Sequence, residues 1–254
     1  MVKPPRGFKG SKRRQGGGAE NTLRMKHEKV RTARGRKYSS KLWLERQLND
    51  PYVLEAKRRG YRSRAAFKLL QLDEKFHFLT SGARVVDLGA APGGWCQIAA
   101  EVVLHGKHAA RGKIVGIDIQ EMEELPGITL LHQDFTEDEA PDLLKDALGG
   151  EADVVMSDMA AHATGHTATD HLRIMGLCEM ALEFALEVLA PNGVFLAKVL
   201  QGGTEDELLA TMKKHFKTVK HAKPAASRSD SAEMYVVALG FKGRKAEPNK
   251  RDET

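Results

Sequence analysis

Val85-Val86-Asp87-Leu88-Gly89-Ala90-Ala91-Pro92-Gly93-Gly94-Trp95 is the stretch that decides the fold. A β-branched run ends in an acid, a Gly-rich turn follows, and the next residues take up helical spacing. Small residues let a backbone pass close to a bound molecule without Cβ clashes. A helix that opens just after such a turn aims its free N–H groups at that molecule. The layout is that of a nucleotide-type pocket at the carboxyl edge of a parallel strand. The competing reading is a tight βα turn with no ligand. The pattern is not the dinucleotide fingerprint, because Gly89, Gly93 and Gly94 do not fit G-x-G-x-x-G, and there is no G-x-x-x-x-G-K-[ST] phosphate loop.

Two further acids follow at strand ends. Lys113-Ile114-Val115-Gly116-Ile117-Asp118 reads as the next strand, and Asp118 at its end can bind a ribose diol. Asp134 closes Leu130-Leu131-His132-Gln133-Asp134 and could meet the exocyclic amine of an adenine. Each acid alone is more often a solvated strand end or a helix cap. Asp87, Asp118 and Asp134 together, closing three successive strands, point to a site.

From Arg84 onward strands and helices alternate, which predicts a parallel sheet covered by helices. Strands are expected at 84–88, 113–118, 129–133, 152–157, 193–199, 217–222 and 234–240. Helices are expected near 94–104, 136–148, 168–189 and 204–215. Ahead of them, Ser39 or Ser40 suits the cap of a helix carrying Leu42, Trp43, Leu44 and Leu48, and Pro51 suits the first turn of another. Ser63 is a plausible N-cap for a third helix, with Ala66, Phe67 and Leu70 on its apolar face and Lys68 beside it. Glu179, Glu183 and Glu187 recur at i+4 and predict a solvated stripe on the long helix.

At 254 residues the chain fits one domain with extensions. The expected division is a basic, disordered RNA-binding arm at 1–37, a catalytic domain at 38–241 and a polar tail at 242–254. The net charge of +6 is uneven: residues 1–68 hold 21 Lys and Arg against 5 Asp and Glu, and the remainder carries a net −10. Such asymmetry suggests a polyanion-binding arm on an acidic body. The arm lacks the apolar residues that would offset its ordering entropy; the alternative is a solubilising tail with no partner. No apolar run reaches the ~18 residues of a membrane span, and no apolar h-region follows the basic start. Cys96 and Cys178 show neither pairing nor metal spacing, and the histidines lack a convincing ligand set, so no metal is expected. A monomer in a reducing cytoplasm is the expectation.

Three charged residues lie in or beside apolar strand segments: Asp158 after Val154-Val155-Met156-Ser157, Lys198 inside Val194-Phe195-Leu196-Ala197-Lys198-Val199-Leu200, and Glu233 before Met234-Tyr235-Val236-Val237. A lysine in such a strand is costly to bury unless paired or used; a plain buried ion pair is the competing reading. If 234–240 returns antiparallel from 217–222, all three gather at the edge that holds the Gly-rich turn, where perturbed pKa values are expected.

These stretches resemble the FtsJ/RrmJ-type ribose 2′-O-methyltransferases. The resemblance rests on Val86–Trp95, Arg62-Ser63-Arg64-Ala65-Ala66-Phe67-Lys68-Leu69, Val155-Met156-Ser157-Asp158-Met159-Ala160, Lys198-Val199-Leu200-Gln201-Gly202, and Ser227-Arg228 followed by Glu233–Ala238. It runs from about residue 40 to 241. It implies a Rossmann-like α/β methyltransferase fold, with six parallel strands and the last antiparallel, and S-adenosylmethionine as cofactor. It maps a Lys-Asp-Lys-Glu tetrad onto Lys68, Asp158, Lys198 and Glu233, with Lys198 as proton acceptor. Cofactor contacts map onto Gly93, Trp95, Asp118, Asp134 and Asp158. The implied substrate is a uridine ribose of large-subunit (23S) ribosomal RNA, on the assembled subunit. Bacterial relatives carry Pro-Asn where this chain has Ala161-His162.

The implied reaction is an in-line attack of a ribose 2′-hydroxyl on a sulfonium methyl, for which a positioned base helps. Burial and a neighbouring cation favour a neutral lysine, whereas the two carboxylates favour a protonated one; the resemblance, not the charges, assigns Lys198. Arg58, Arg59, Arg62 and Arg64 are expected to contact RNA phosphates. The alternatives are a 2′-O-methyltransferase for transfer RNA or messenger RNA caps, and a non-catalytic ribosome assembly factor on the same fold.

Overall fold

The computed structural model describes residues 35, 37–161, 164–201 and 206–244. The rest of the basic arm, His162, Gly202 and the tail beyond Arg244 lie outside the described residues. The chain divides into two units, 1–49 and 50–254. In the first, α1 spans Tyr38–Asn49 and starts ahead of both serines expected to cap it.

The second unit opens with α2, Pro51–Arg59. Asp50 caps it by accepting the Tyr52 N–H, and Gly60 ends it in the left-handed conformation. Helix α3 spans Ala66–Phe76. Ser63 does not cap it as expected: the helix starts three residues later, the Ala66 N–H bonds to the Ser63 carbonyl, and Ser63 Oγ has no partner.

Strand β1 (Arg84–Leu88), α4 (Gly94–Val103), β2 (Lys113–Asp118), β3 (Thr129–His132), α5 (Ala140–Leu148) and β4 (Ala152–Ser157) follow. Then come α6 (Thr167–Val188), β5 (Leu189–Leu200), α7 (Asp206–His215), β6 (Phe216–Ala222) and β7 (Glu233–Phe241). The seven strands form one sheet in the order β3-β2-β1-β4-β5-β7-β6. The last strand, β7, lies antiparallel to both neighbours, β5 and β6, and the pairs among β1 to β5 are parallel.

Two departures have local causes. Helix α5 starts at Ala140 rather than 136, because Asp134 Oδ1 accepts from both N and Oγ1 of Thr136 and holds that segment in a turn. Strand β5 starts at Leu189, directly after α6, and takes in Pro191-Asn192-Gly193. Asn192 has φ +69°, and the register against β4 shifts between Leu189 and Val194.

Alternation along each strand divides the core between the two faces of the sheet. Val86, Leu88, Val115, Ile117, Val155, Phe195, Ala197, Val236 and Ala238 pack with α5, α6 and α7. Val85, Ile114, Val154, Met156, Leu196, Tyr235 and Val237 pack with α3 and α4. Each fully buried Val, Leu, Ile or Phe contributes about 1.5–3 kcal/mol, so both helical layers are held firmly. Glu179, Glu183 and Glu187 are exposed on α6, as their spacing predicts.

Candidate active site

The Gly-rich turn hangs from the end of β1. Gly89 and Ala90 both donate their N–H to the Ile117 carbonyl on β2, and Gly93 N–H bonds back to the Ala90 carbonyl. Gly93 adopts φ +106° at the N-cap of α4, a conformation side chains resist. A Cβ on Gly94 would lie 2.5 Å from Ser63 Oγ and 3.3 Å from the Ala66 main-chain nitrogen, so a larger residue would have to turn Ser63 away or move the segment before α3.

Asp118, at the end of β2, braces this turn: its Oδ2 accepts the Ala91 N–H at 2.9 Å and its Oδ1 the Gln120 N–H at 2.8 Å. Asp134 lies two residues beyond β3, beside the Asp118 backbone, whose carbonyl accepts the Gln133 N–H at 3.0 Å. Gly93, Asp118 and Asp134 therefore share the carboxyl edge of the sheet. Asp87 does not join them. It is wholly buried, accepts a bond from Cys96 Sγ at 3.2 Å, and keeps Oδ1 unpartnered. Burial pushes its carboxyl up to about 7, and the carboxylates of Asp158 and Asp118 add to the shift. Trp95 is also buried: its indole N–H donates to the Ala65 carbonyl at 2.9 Å, so only its main chain is left for a ligand.

The charged tetrad assembles from four elements. Asp158 follows β4, and its N–H bonds to the Leu88 carbonyl at 3.2 Å, beside the Gly-rich turn. Lys198 on β5 pairs across the ladder with Tyr235 on β7, and Leu200 with Glu233. The period-2 alternation of β7 puts Glu233 and Tyr235 on one face with Lys198, the face α3 covers. Lys68 reaches in from α3.

The distances close a chain of charges. Lys68 Nζ lies 3.2 Å from Glu233 Oε2 and 4.0 Å from Asp158 Oδ2. Lys198 Nζ lies 3.2 Å from Asp158 Oδ1 and donates to the Asp158 main-chain oxygen at 2.7 Å. Burial alone would raise the Asp158 carboxyl. The charges of Lys198 and Lys68 and the hydrogen bonds from Tyr235 and Lys198 outweigh it, and hold the group below its ordinary value. The Lys198 side chain is only 5% exposed, whereas that of Glu233 is 32% exposed, so the cluster is dry at one end and open at the other.

Sequence reasoning missed Tyr235 as a working residue. Its hydroxyl donates to Asp158 Oδ1 at 2.7 Å, its ring lies 5.7 Å from that of Trp95, and Lys68 Nζ stands 5.6 Å from its centroid. The available signal was its place two residues after Glu233 on a strand. The four arginines expected to contact phosphates also make contacts within the chain. Arg58 and Arg59 pair with Glu55. Arg62 donates to the carbonyls of Pro92, Glu123 and Glu124 at 3.3, 2.8 and 2.9 Å, which ties the Gly-rich turn to the loop after β2. Arg64 pairs with Asp50 at 2.7 Å and donates to the Ala226 carbonyl. A guanidinium is planar with five donors and serves such carbonyl clamps as readily as phosphates.

Among the described residues no group of three or more His, Cys, Asp or Glu is placed to hold a metal ion, and no helix is long and apolar enough to cross a membrane. Cys96 and Cys178 are buried thiols that are not joined in a disulfide.

Residues 61–241 match the model of the FtsJ-like methyltransferases. The chain is 63% identical over 237 residues to the ribosomal RNA large subunit methyltransferase E of Paramagnetospirillum magneticum, covering 93% of this chain and 97% of that one. It is 59% identical over 240 residues to the protein of the same name from Parvibaculum lavamentivorans, covering 92% and 94%. Among solved structures, a chain described as a ribosomal RNA methyltransferase from Plasmodium falciparum superposes with a TM-score of 0.62 at 28% identity, covering 72% of this chain and all of that one.

Proposed function

The chain belongs to the FtsJ-like methyltransferase family, and from that premise we propose that it methylates the ribose 2′-hydroxyl of a uridine in large-subunit (23S) ribosomal RNA, on the assembled subunit in the cytoplasm. The observation that carries the reading is the Lys68–Glu233/Asp158–Lys198 cluster beside the Gly-rich turn. Two amines at one carboxylate suit a hydroxyl nucleophile; a base-directed enzyme instead needs a pocket for a flipped base. The names of the relatives point to ribosomal RNA rather than to transfer RNA or caps. The intact lysine pair speaks against a non-catalytic assembly factor.

The residues present fit S-adenosylmethionine. Asp118 and Asp134 stand at adjacent strand ends for ribose and adenine, the main chain of Gly93 and Trp95 opens α4 toward an anionic group, and Asp158 is an ionised carboxylate suited to a sulfonium. When bound, S-adenosylmethionine supplies an electrophilic methyl group.

The chain's own residues do the rest. Lys198 Nζ receives the proton of the attacking 2′-hydroxyl. Its aim is set by the two oxygens of Asp158 that it contacts. Lys68, held by Glu233, steers the hydroxyl. Tyr235 fixes the Asp158 carboxylate from beneath. Much of the acceleration comes from alignment of hydroxyl and methyl, which needs rigid side chains.

The test is transfer of labelled methyl groups to unmethylated large subunits and to naked RNA, followed by nuclease mapping. A 2′-O-methyluridine formed on the subunit supports the reading; label on a base, or none on ribosomal RNA, rejects it.

A further inference from the structure

Residues 208–229 are the longest stretch of the chain without a carboxylate, and they hold Lys213, Lys214, Lys217, Lys220, Lys223 and Arg228. This density is set in a body, residues 69–254, whose net charge is −10. The stretch covers the end of α7, the strand β6 and the loop into β7. Strand β6 is at the edge of the sheet, with Lys217, Lys220 and His221 exposed.

The direction of β6 matters. Both β5 and β6 run antiparallel to β7, so β6 finishes at the same edge as β5. Its last residue, Ala222, pairs with Tyr235, whose hydroxyl holds Asp158. Lys220 pairs with Val237, on the face that Tyr235 shares and about 7 Å along the strand from it. The positive edge thus leads up to the charged cluster.

Part of this charge is already used. Lys217 donates to Asn192, Lys223 to the carbonyls of Ser229 and Ser231, and Arg228 lies 3.9 Å from Asp50. The side chains of Lys213, Lys214 and Lys220 make no hydrogen bond or ion pair among the described residues. Two plainer roles compete. Lysines at the end of α7 complement its dipole, as Asp206 and Glu207 do at its start. Lysines on an edge strand discourage pairing with another chain. Neither explains why no acid relieves the run across three successive elements of an acidic body.

We propose that this edge is a docking strip for the phosphate backbone of the RNA substrate, away from the nucleotide that is methylated. The proposal rests on the RNA reading above. An acidic body repels a polyanion, and free lysines that release counterions from RNA offset that repulsion.

The test uses the full chain with Lys213→Gln, Lys214→Gln and Lys220→Gln combined, and a large-subunit RNA that the wild-type protein methylates. The KM for RNA should rise on the order of 10-fold. The slope of log affinity against log salt should become shallower by about 2, near 0.7–0.9 per lost phosphate contact. Turnover at saturating RNA and the melting temperature should stay as in the wild type, and the matching Lys→Arg variant should keep both affinity and slope. Unaltered KM and slope would overturn the strip. So would concentration-dependent self-association of the Gln variant with RNA binding intact, which would show that the lysines only guard the edge. A wild-type protein that methylates no RNA would sink the underlying reading, and the strip with it.

Discussion

Lys198 grips Asp158 at two points, its main-chain oxygen at 2.7 Å and its Oδ1 at 3.2 Å. One amine so placed fixes both the backbone after β4 and the carboxylate beside the Gly-rich turn. Replacement of Lys198 by Ala removes the proposed proton acceptor without touching Asp118 at the end of β2. Methyl transfer should fall by roughly 10²–10⁴-fold, while cofactor affinity, measured by calorimetry, stays within a few fold. Wild-type-like turnover would take Lys198 out of the mechanism.

Tyr235→Phe keeps the ring that packs beside Trp95 and deletes the hydroxyl that donates to Asp158. A hydrogen bond to a charged group is worth about 1.5–3 kcal/mol, and urea unfolding should register a loss of that order. Single-turnover methyl transfer should slow about 10-fold, equivalent to ~1.4 kcal/mol of barrier. A variant equal to wild type in both measurements would show that Asp158 needs no support from below.

Asp87 makes stability pH-dependent in a window of its own. Its folded pKa of about 7 lies above the ordinary value of 3.8, so the folded state keeps a proton that the unfolded chain releases. The stabilisation is complete below about pH 4 and is lost as pH rises through about 7, on the order of 4 kcal/mol in all. Asp158 is shifted the other way: its contribution is present above the ordinary carboxylate value and is lost as pH falls through its lowered pKa. Denaturation of wild type and Asp87→Asn across pH 4–8 should therefore differ in slope, with the variant flatter. Parallel curves would refute a protonated Asp87.

Arg62 joins the Gly-rich turn to the loop after β2, at the edge proposed for the cofactor, through the carbonyls of Pro92, Glu123 and Glu124. Arg62→Ala should raise the KM for S-adenosylmethionine about 10-fold, or ~1.4 kcal/mol, and leave kcat and the salt slope of RNA binding unchanged. A shallower salt slope with normal cofactor affinity would return Arg62 to the RNA contacts that its position in a basic stretch first suggests.

The strands were legible because their cores are continuous β-branched runs punctuated by Gly and Asp. Segments 84–88, 113–118 and 152–157 fall where expected. The misjudged ends have side-chain or register causes: Asp134 winds the residues before α5 into a turn, and the shift against β4 lets β5 absorb Pro191-Asn192-Gly193. Neither signal lies in hydrophobic period.

The order of elements and the Gly-rich turn were legible in the amino-acid sequence, because a strand's apolar run and a glycine's conformational freedom are local properties; Asp158, Lys198 and Glu233 stood out as charges in or beside apolar strands, and Lys68 joined them only through the family resemblance. Which acid faces the site was not legible. Asp87, Asp118 and Asp134 look alike as strand-end acids, yet one is sealed under the turn and two remain at the edge. Nor were the partners of the arginines, the support of Tyr235 for Asp158, or the alignment of the positive strand β6 with the site. Burial and pairing are set by residues far apart in the chain, and those meet only when the sheet forms.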